Sequence, residues 1–215
     1  MPPLRRKRVE PGHFRLAHGW RLTDFSETSK ETVREFVRRA VRSVPPSLAQ
    51  RLGFCEIVLV RSIDDGEAVS RWTAAAQGIT IELVALEPHD LAMELLVCLG
   101  QVLWEIMPAA ERKAWFELLR AEMDSGITGE IDEDALQEKQ ALLSSRALAR
   151  SPRRLDRYAG VSFAGTIAEY IHALWHDVSV RTGPEHLAPL SLQRRFEMLA
   201  RWFPPRRGKR LISYF

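Results

Sequence analysis

At 215 residues, with 46% hydrophobic and 27% charged side chains, the chain has the make-up of one ordinary folded domain with decorated ends, not of a disordered, fibrous or disulfide-framed protein. Its 31 Lys and Arg against 28 Asp and Glu leave a formal charge of +3, too small an excess to argue by itself for nucleic acid. No run of about 18 apolar residues is present, so no membrane partner is expected. The basic start MPPLRRKRVEPGHF lacks the apolar segment of a secretory leader, so a cytoplasmic location is the default.

In chain order, residues 1–24 read as an irregular basic arm carrying Arg5-Arg6-Lys7-Arg8 and two apolar anchors, Phe14 and Trp20. Ser26 to Ser43 reads as an amphipathic helix with Val33, Phe36, Val37, Ala40 and Val41 inward, capped by Ser26 or Thr28 and stopped by Val44-Pro45-Pro46. Ser47 to Leu52 is a short helical turn. Phe54 to Val60, Val69 to Ala75 and Ile79 to Ala85 have strand composition, with Asp64-Asp65-Gly66 and Gln77-Gly78 as turns.

Pro88 to Met107 is the stretch around which the chain is organised. Between Leu91 and Trp104 its only ionised side chain is Glu94, so a helix here must be buried on most of its circumference. Helices are then expected over Ala109 to Met123, Asp132 to Arg150, Phe163 to Val180 and Ser191 to Phe203, the last capped by Ser191. Residues 204–215 form a second basic tail with Arg206-Arg207-Gly208-Lys209-Arg210. Such ends touch phosphates in some proteins, but solvated tails are the simpler reading and nucleic acid is not the expected partner. The fold class that follows is α+β, a small mixed sheet packed on a buried central helix and followed by a helical C-terminal half, forming a single domain over residues 25–203. Cys55 and Cys98 fit no disulfide framework and are expected as buried free thiols.

The segment Val97-Cys98-Leu99-Gly100-Gln101-Val102-Leu103-Trp104, on a buried helix behind a strand and ahead of another helix, resembles the H-E-x-G-H-x-L helix of small gluzincin-type zinc metallopeptidases. The resemblance implies a zincin-like fold with Val97, Cys98 and Gln101 where His, Glu and His would stand. Valine offers no lone pair, a thiol does not replace a carboxylate as general base, and a neutral amide is a poor zinc ligand. Further on, Gly165-Thr166-Ile167-Ala168-Glu169 resembles the E-x-x-A-E pattern that supplies the third ligand, with Gly165 at the ligand position. The implied protein is a degenerate, non-catalytic pseudo-metallopeptidase that needs no cofactor. It would serve as a binding or scaffold protein for an unidentified protein or peptide partner, with Glu94, Trp104 and Glu169 lining the former cleft. In zincins the last strand before the helix typically borders the cleft as an edge; ITIELVA alternates too weakly to tell edge from centre.

A second constellation lies on the later helix. Glu169, His172 and His176 are spaced i, i+3 and i+7, and the two histidines form the i, i+4 pair that clamps zinc, which defines the rival from the enzyme class, a metal-dependent hydrolase. One helix alone cannot close a tetrahedral site. His89, at the start of the central helix, suits an anion or a substrate group. Of the six tryptophans most are expected in the core; Trp104 shares a side of its helix with Val97 and Gln101, where aromatic packing would fill an emptied site.

Overall fold

The computed structural model describes residues 11–144, 151–176 and 183–206. Five strands form one mixed sheet in the order β1-β2-β3-β5-β4: β1 (Gly12–Arg15), β2 (Arg21–Asp24), β3 (Cys55–Val60), β4 (Ser70–Ala75) and β5 (Gly78–Val84). The inner pairs β2–β3 and β3–β5 are parallel, and each outer strand joins antiparallel. Period-two alternation sets which face is covered: Cys55, Ile57 and Leu59 of β3 and Ile79, Ile81 and Leu83 of β5 are buried, while the residues between them are half-buried. The last strand before the central helix is interior, and β1 and β4 are the two edges, with β4 the one beside it.

The parallel step from β2 to β3 needs a crossover, which the first two helices supply. Helix α1 spans residues 30–43, with one π-wound turn at Val33–Val37. Its cap is Ser29, whose Oγ accepts from the Thr32 N–H at 3.0 Å; Ser26 instead donates to Asp24 and bonds Thr28. The inward positions Val33, Val37, Ala40 and Val41 are buried, and Phe36 packs against the core at its margin. Helix α2 (Pro46–Leu52) completes the crossover.

Helix α3 (Pro88–Glu105) is the central helix, and ten of its residues, from Leu91 to Trp104, are buried. It packs on β5, β4 and α1, and along its length on α6 (Pro152–His172). Between them come α4 (Ala109–Asp124), which leaves α3 at 115° after Pro108, and α5 (Glu133–Leu143), capped by Asp132. Helix α7 (Pro189–Trp202) follows. The expected α+β class, mixed sheet and helical second half are thus observed. No single helix among the described residues is long and apolar enough to cross a membrane.

Three local expectations are corrected. Residues 12–24 are not an irregular arm but two strands of the sheet, joined by a turn in which His18 and Gly19 take positive φ and Trp20 is buried with its indole N–H on the Gly53 carbonyl. Four residues per strand is too little for alternation to register. Helix α6 begins at Pro152, capped by Ser151, rather than at Phe163, and ends at His172. Helix α7 begins at Pro189, so Ser191 lies inside it rather than at its cap. The Arg5–Arg8 cluster, residues 145–150, residues 177–182 and Arg207–Arg210 lie outside the described residues.

Candidate functional site

Helices α3 and α6 run antiparallel in close apposition. A Cβ built on Gly100 would lie 2.7 Å from Ala164 Cα, and one on Gly160 would lie 2.9 Å from Trp104 Nε1. At the opposite end His89 meets His172. This alignment decides where each sequence candidate falls.

Glu94, Cys98 and Gln101 look toward the edge strand. Ser70 Oγ donates to Glu94 Oε1 at 2.6 Å and the Trp72 indole N–H donates to Gln101 Oε1 at 3.1 Å. Cys98 lies beside Ser70 and Glu94, and burial pushes its thiol up to about 12; Cys55 is raised likewise, so both are inert buried thiols. Val97 is half-buried against the core. Gly165 does not join them: a Cβ there would collide with Asp132 and Ile131, so this position faces the start of α5. The α6 residues that share a cavity with Gln101 are Asp156, Arg157, Gly160 and Val161; the one carboxylate among them, Asp156, pairs with Arg112 at 3.5 Å.

That cavity, about 310 Å³, lies between β4, α3 and α6, with Trp72, Gln101, Trp104 and Asp156 among its walls. Trp104 fills its floor. The indole is almost wholly buried, packs edge-on to Phe116 and tilted on Phe163, and carries the Arg112 guanidinium 4.7 Å from its ring. Of the expected cleft residues, only Trp104 lines this cavity. Glu94 is committed to Ser70, and Glu169 lies more than two helical turns farther along α6, with the histidines.

The second cluster joins two helices. His89 Nε2 and His172 Nε2 are 3.3 Å apart, and His172 Nδ1 is 3.3 Å from Glu169 Oε2. His176 lies beyond the end of α6, stacked on His172 with ring centroids 5.2 Å apart and 6.2 Å from His89. Trp175 stands edge-on to both His172 and His176. Among the described residues no three His, Cys, Asp or Glu side chains converge closely enough to hold a metal ion as they stand. The i, i+4 spacing of His172 and His176 was legible; their meeting with His89, 83 residues away from His172, left no local signal.

A third polar cluster, with no counterpart among the sequence candidates, is sealed in the helical half. Arg195 is fully buried and donates to Glu130 at 2.8 Å through two nitrogens and to Glu122 at 3.1 Å through Nε. Lys139 donates to the Gly129 carbonyl at 2.9 Å and pairs with Glu130 at 3.4 Å, and the Tyr158 hydroxyl donates to Glu130. Two cations and two carboxylates cancel, and most of their hydrogen-bonding capacity is used, so the cluster ties α4, α5, α6 and α7 together rather than offering a reactive group. Burial alone would raise Glu130, but Arg195 and Lys139 override it and hold the carboxyl down to about 2.

Asp132, next to this cluster, is pushed the other way. Burial lifts its carboxyl to about 6, with Asp134 and Glu130 adding to the rise. A group raised in the folded state contributes stability that is complete below its unfolded value near 3.8 and is lost as pH rises through about 6. Asp132→Asn keeps a capping side chain on α5 and removes this titration. The expected result is a variant whose melting temperature at pH 7.5 exceeds the wild type's by about 2–5 °C, with the difference closing as pH falls toward 4. A difference that widens on acidification would contradict the assigned direction; calorimetry across that pH range reads it.

Compared with protein families, with characterised proteins and with solved structures, the chain matches none.

Proposed function

We propose that this chain is a non-catalytic, zincin-like binding protein that takes an extended peptide segment along the edge strand β4, above the cavity floored by Trp104. The observation that carries this reading is the edge strand β4 beside a cavity that Gln101 lines, its side chain engaged by Trp72; under the zincin resemblance, Val97, Cys98 and Gln101 would supply no zinc cage. The strand order supports it, since β4 pairs with β5 alone among the described residues.

The register shows which backbone groups a peptide would meet. Ser70 pairs with Leu83 and Thr73 with Thr80, while the Val84 N–H donates to Val69. Backbone groups alternate sides along an antiparallel strand, so Arg71 and Thr73 turn theirs to β5 and Ser70, Trp72 and Ala74 turn theirs to the open edge. An added strand would bond to these three residues, and one of its apolar side chains would enter the cavity between Trp72 and Trp104.

Ala74→Pro tests the proposal, because it removes an outward N–H without touching the β4–β5 ladder. Peptides selected on the immobilised full chain from a random library are expected to bind with Kd on the order of 10 μM and to lose at least about tenfold, or 1.4 kcal/mol, in the variant, whose melting temperature stays unchanged. Incubated with the wild type and zinc, the same peptides should be recovered whole. Equal binding by Ala74→Pro would remove the edge-strand mode, and chelator-sensitive cleavage would replace this reading by the hydrolase.

A further inference from the structure

His89 and His172 present their Nε2 atoms to each other 3.3 Å apart. Two imidazole nitrogens bound to one tetrahedral zinc at 2.0–2.1 Å stand about 3.3–3.4 Å apart, so the two ligand atoms already have the separation that a shared ion imposes. The outer arrangement agrees. Glu169 Oε2, 3.3 Å from His172 Nδ1, is placed to accept a hydrogen bond from an Nδ1–H, the tautomer in which the Nε2 lone pair is the one turned to His89. A carboxylate on the far nitrogen is the usual partner of a metal-bound histidine. Asp90 lies 3.8 Å from His89 Nδ1 and adds negative charge on the other side.

We propose that His89 and His172 form a site for a zinc-class divalent ion, with His176 as third ligand and Glu169 as the positioning residue. The histidines come from the start of α3 and the end of α6, so the ion bridges two helices, and the objection that one helix cannot close a tetrahedral site falls away. His176 is exposed, stacked on His172 with ring centroids 5.2 Å apart and 6.2 Å from the His89 ring, so it is the further imidazole next to both. Imidazole donors select zinc, nickel or copper over magnesium and calcium. The site is independent of the peptide groove, from which His172 lies about three helical turns, roughly 16 Å, along α6.

The test is isothermal titration of the full chain, free of any histidine tag, with zinc chloride and in parallel with magnesium chloride, together with melting curves at each metal concentration. Expected are one zinc per chain with Kd on the order of 1 μM or tighter and no response to magnesium. Saturating zinc is expected to raise the melting temperature by about 5 °C. His89→Ala is the decisive variant, because the side chain is 48% exposed and its loss leaves the core intact; zinc affinity should fall at least about tenfold and the thermal response should vanish. Glu169→Gln should weaken zinc binding about tenfold by loosening the His172 tautomer. A chain that takes up no zinc, or one whose zinc binding survives His89→Ala unchanged, overturns the proposal.

Discussion

Arg195→Ala is expected to be the most damaging single truncation in the helical half, lowering stability by about 3–5 kcal/mol. The reason is what the guanidinium leaves behind. It is fully buried, it forks onto both Glu122 and Glu130, and it also donates to Ser162 at 2.9 Å. Without it two buried carboxylates share one remaining cation, Lys139, which reaches only Glu130. An uncompensated charge in that interior is worth a large part of the roughly 5–15 kcal/mol by which a domain of this kind is stable. Urea unfolding should show the midpoint falling, with a melting temperature lower by about 10 °C or more. Arg195→Lys keeps the charge but not the fork and should recover only part of the loss. Arg195→Met combined with Glu122→Gln leaves Glu130 paired with Lys139, removes the charge imbalance and should be more stable than Arg195→Ala alone. A loss below about 1 kcal/mol for Arg195→Ala would mean that the network is not energetically coupled.

The same cluster marks the limit of what the sequence discloses. Arg195, Glu122 and Lys139 sit in helices whose other charged residues are at least partly exposed, and among 31 basic and 28 acidic side chains nothing local separates the sealed ones from the solvated ones. Their burial is decided by how four helices meet, which is tertiary information. Helix α3 is the opposite case: the single ionised residue between Leu91 and Trp104 requires burial on most sides, and that is what the fold delivers. Strands β3 and β5 were legible because six or seven residues carry β-branched composition between turn signals, whereas β1 and β2, with four residues each, take their place only through the pairing of β1 with β2 and of β2 with β3. The start of α6 was obscured because Arg153, Arg154 and Asp156 dilute the apolar spacing of its first turns, although Ser151-Pro152 is a good start signal.

The candidate sites divide along the same line. The pattern Val97-Cys98 to Gln101 was readable, and so was the pair His172 and His176, since helical spacing carries both. Three-dimensional placement then rearranged them. Gly165 turned to Asp132, Glu169 joined the histidines, and Trp72 and His89 arrived as partners from a strand edge and a helix start. The missing knowledge was how α3 and α6 lie against each other, and against β4 and the start of α5.

That register rests on Gly100, and Gly100→Val is the second substitution with a large expected effect. A Cβ at this position would lie 2.7 Å from Ala164 Cα and 2.8 Å from its carbonyl oxygen, both backbone atoms of a buried helix, so no side-chain rotation relieves the contact. Helix α3 must move off α6, opening gaps along a seam that otherwise packs tightly. Overpacking of this kind costs about 1–3 kcal/mol for a small side chain, against which the helix gains at most about 1 kcal/mol from losing a glycine. Valine, larger and β-branched, gains less and clashes more, so a net loss of about 2–4 kcal/mol is expected. Ala164→Gly should fail to rescue it, because the obstructing atoms are backbone. Both ends of the seam should respond: the Trp72–Gln101 wall of the cavity at one end and the His89–His172 approach at the other. Urea unfolding of Gly100→Ala and Gly100→Val, each with and without Ala164→Gly, measures this directly. If Gly100→Ala proves more stable than the wild type, propensity has outweighed contact and the two helices are not held at this distance by the glycine.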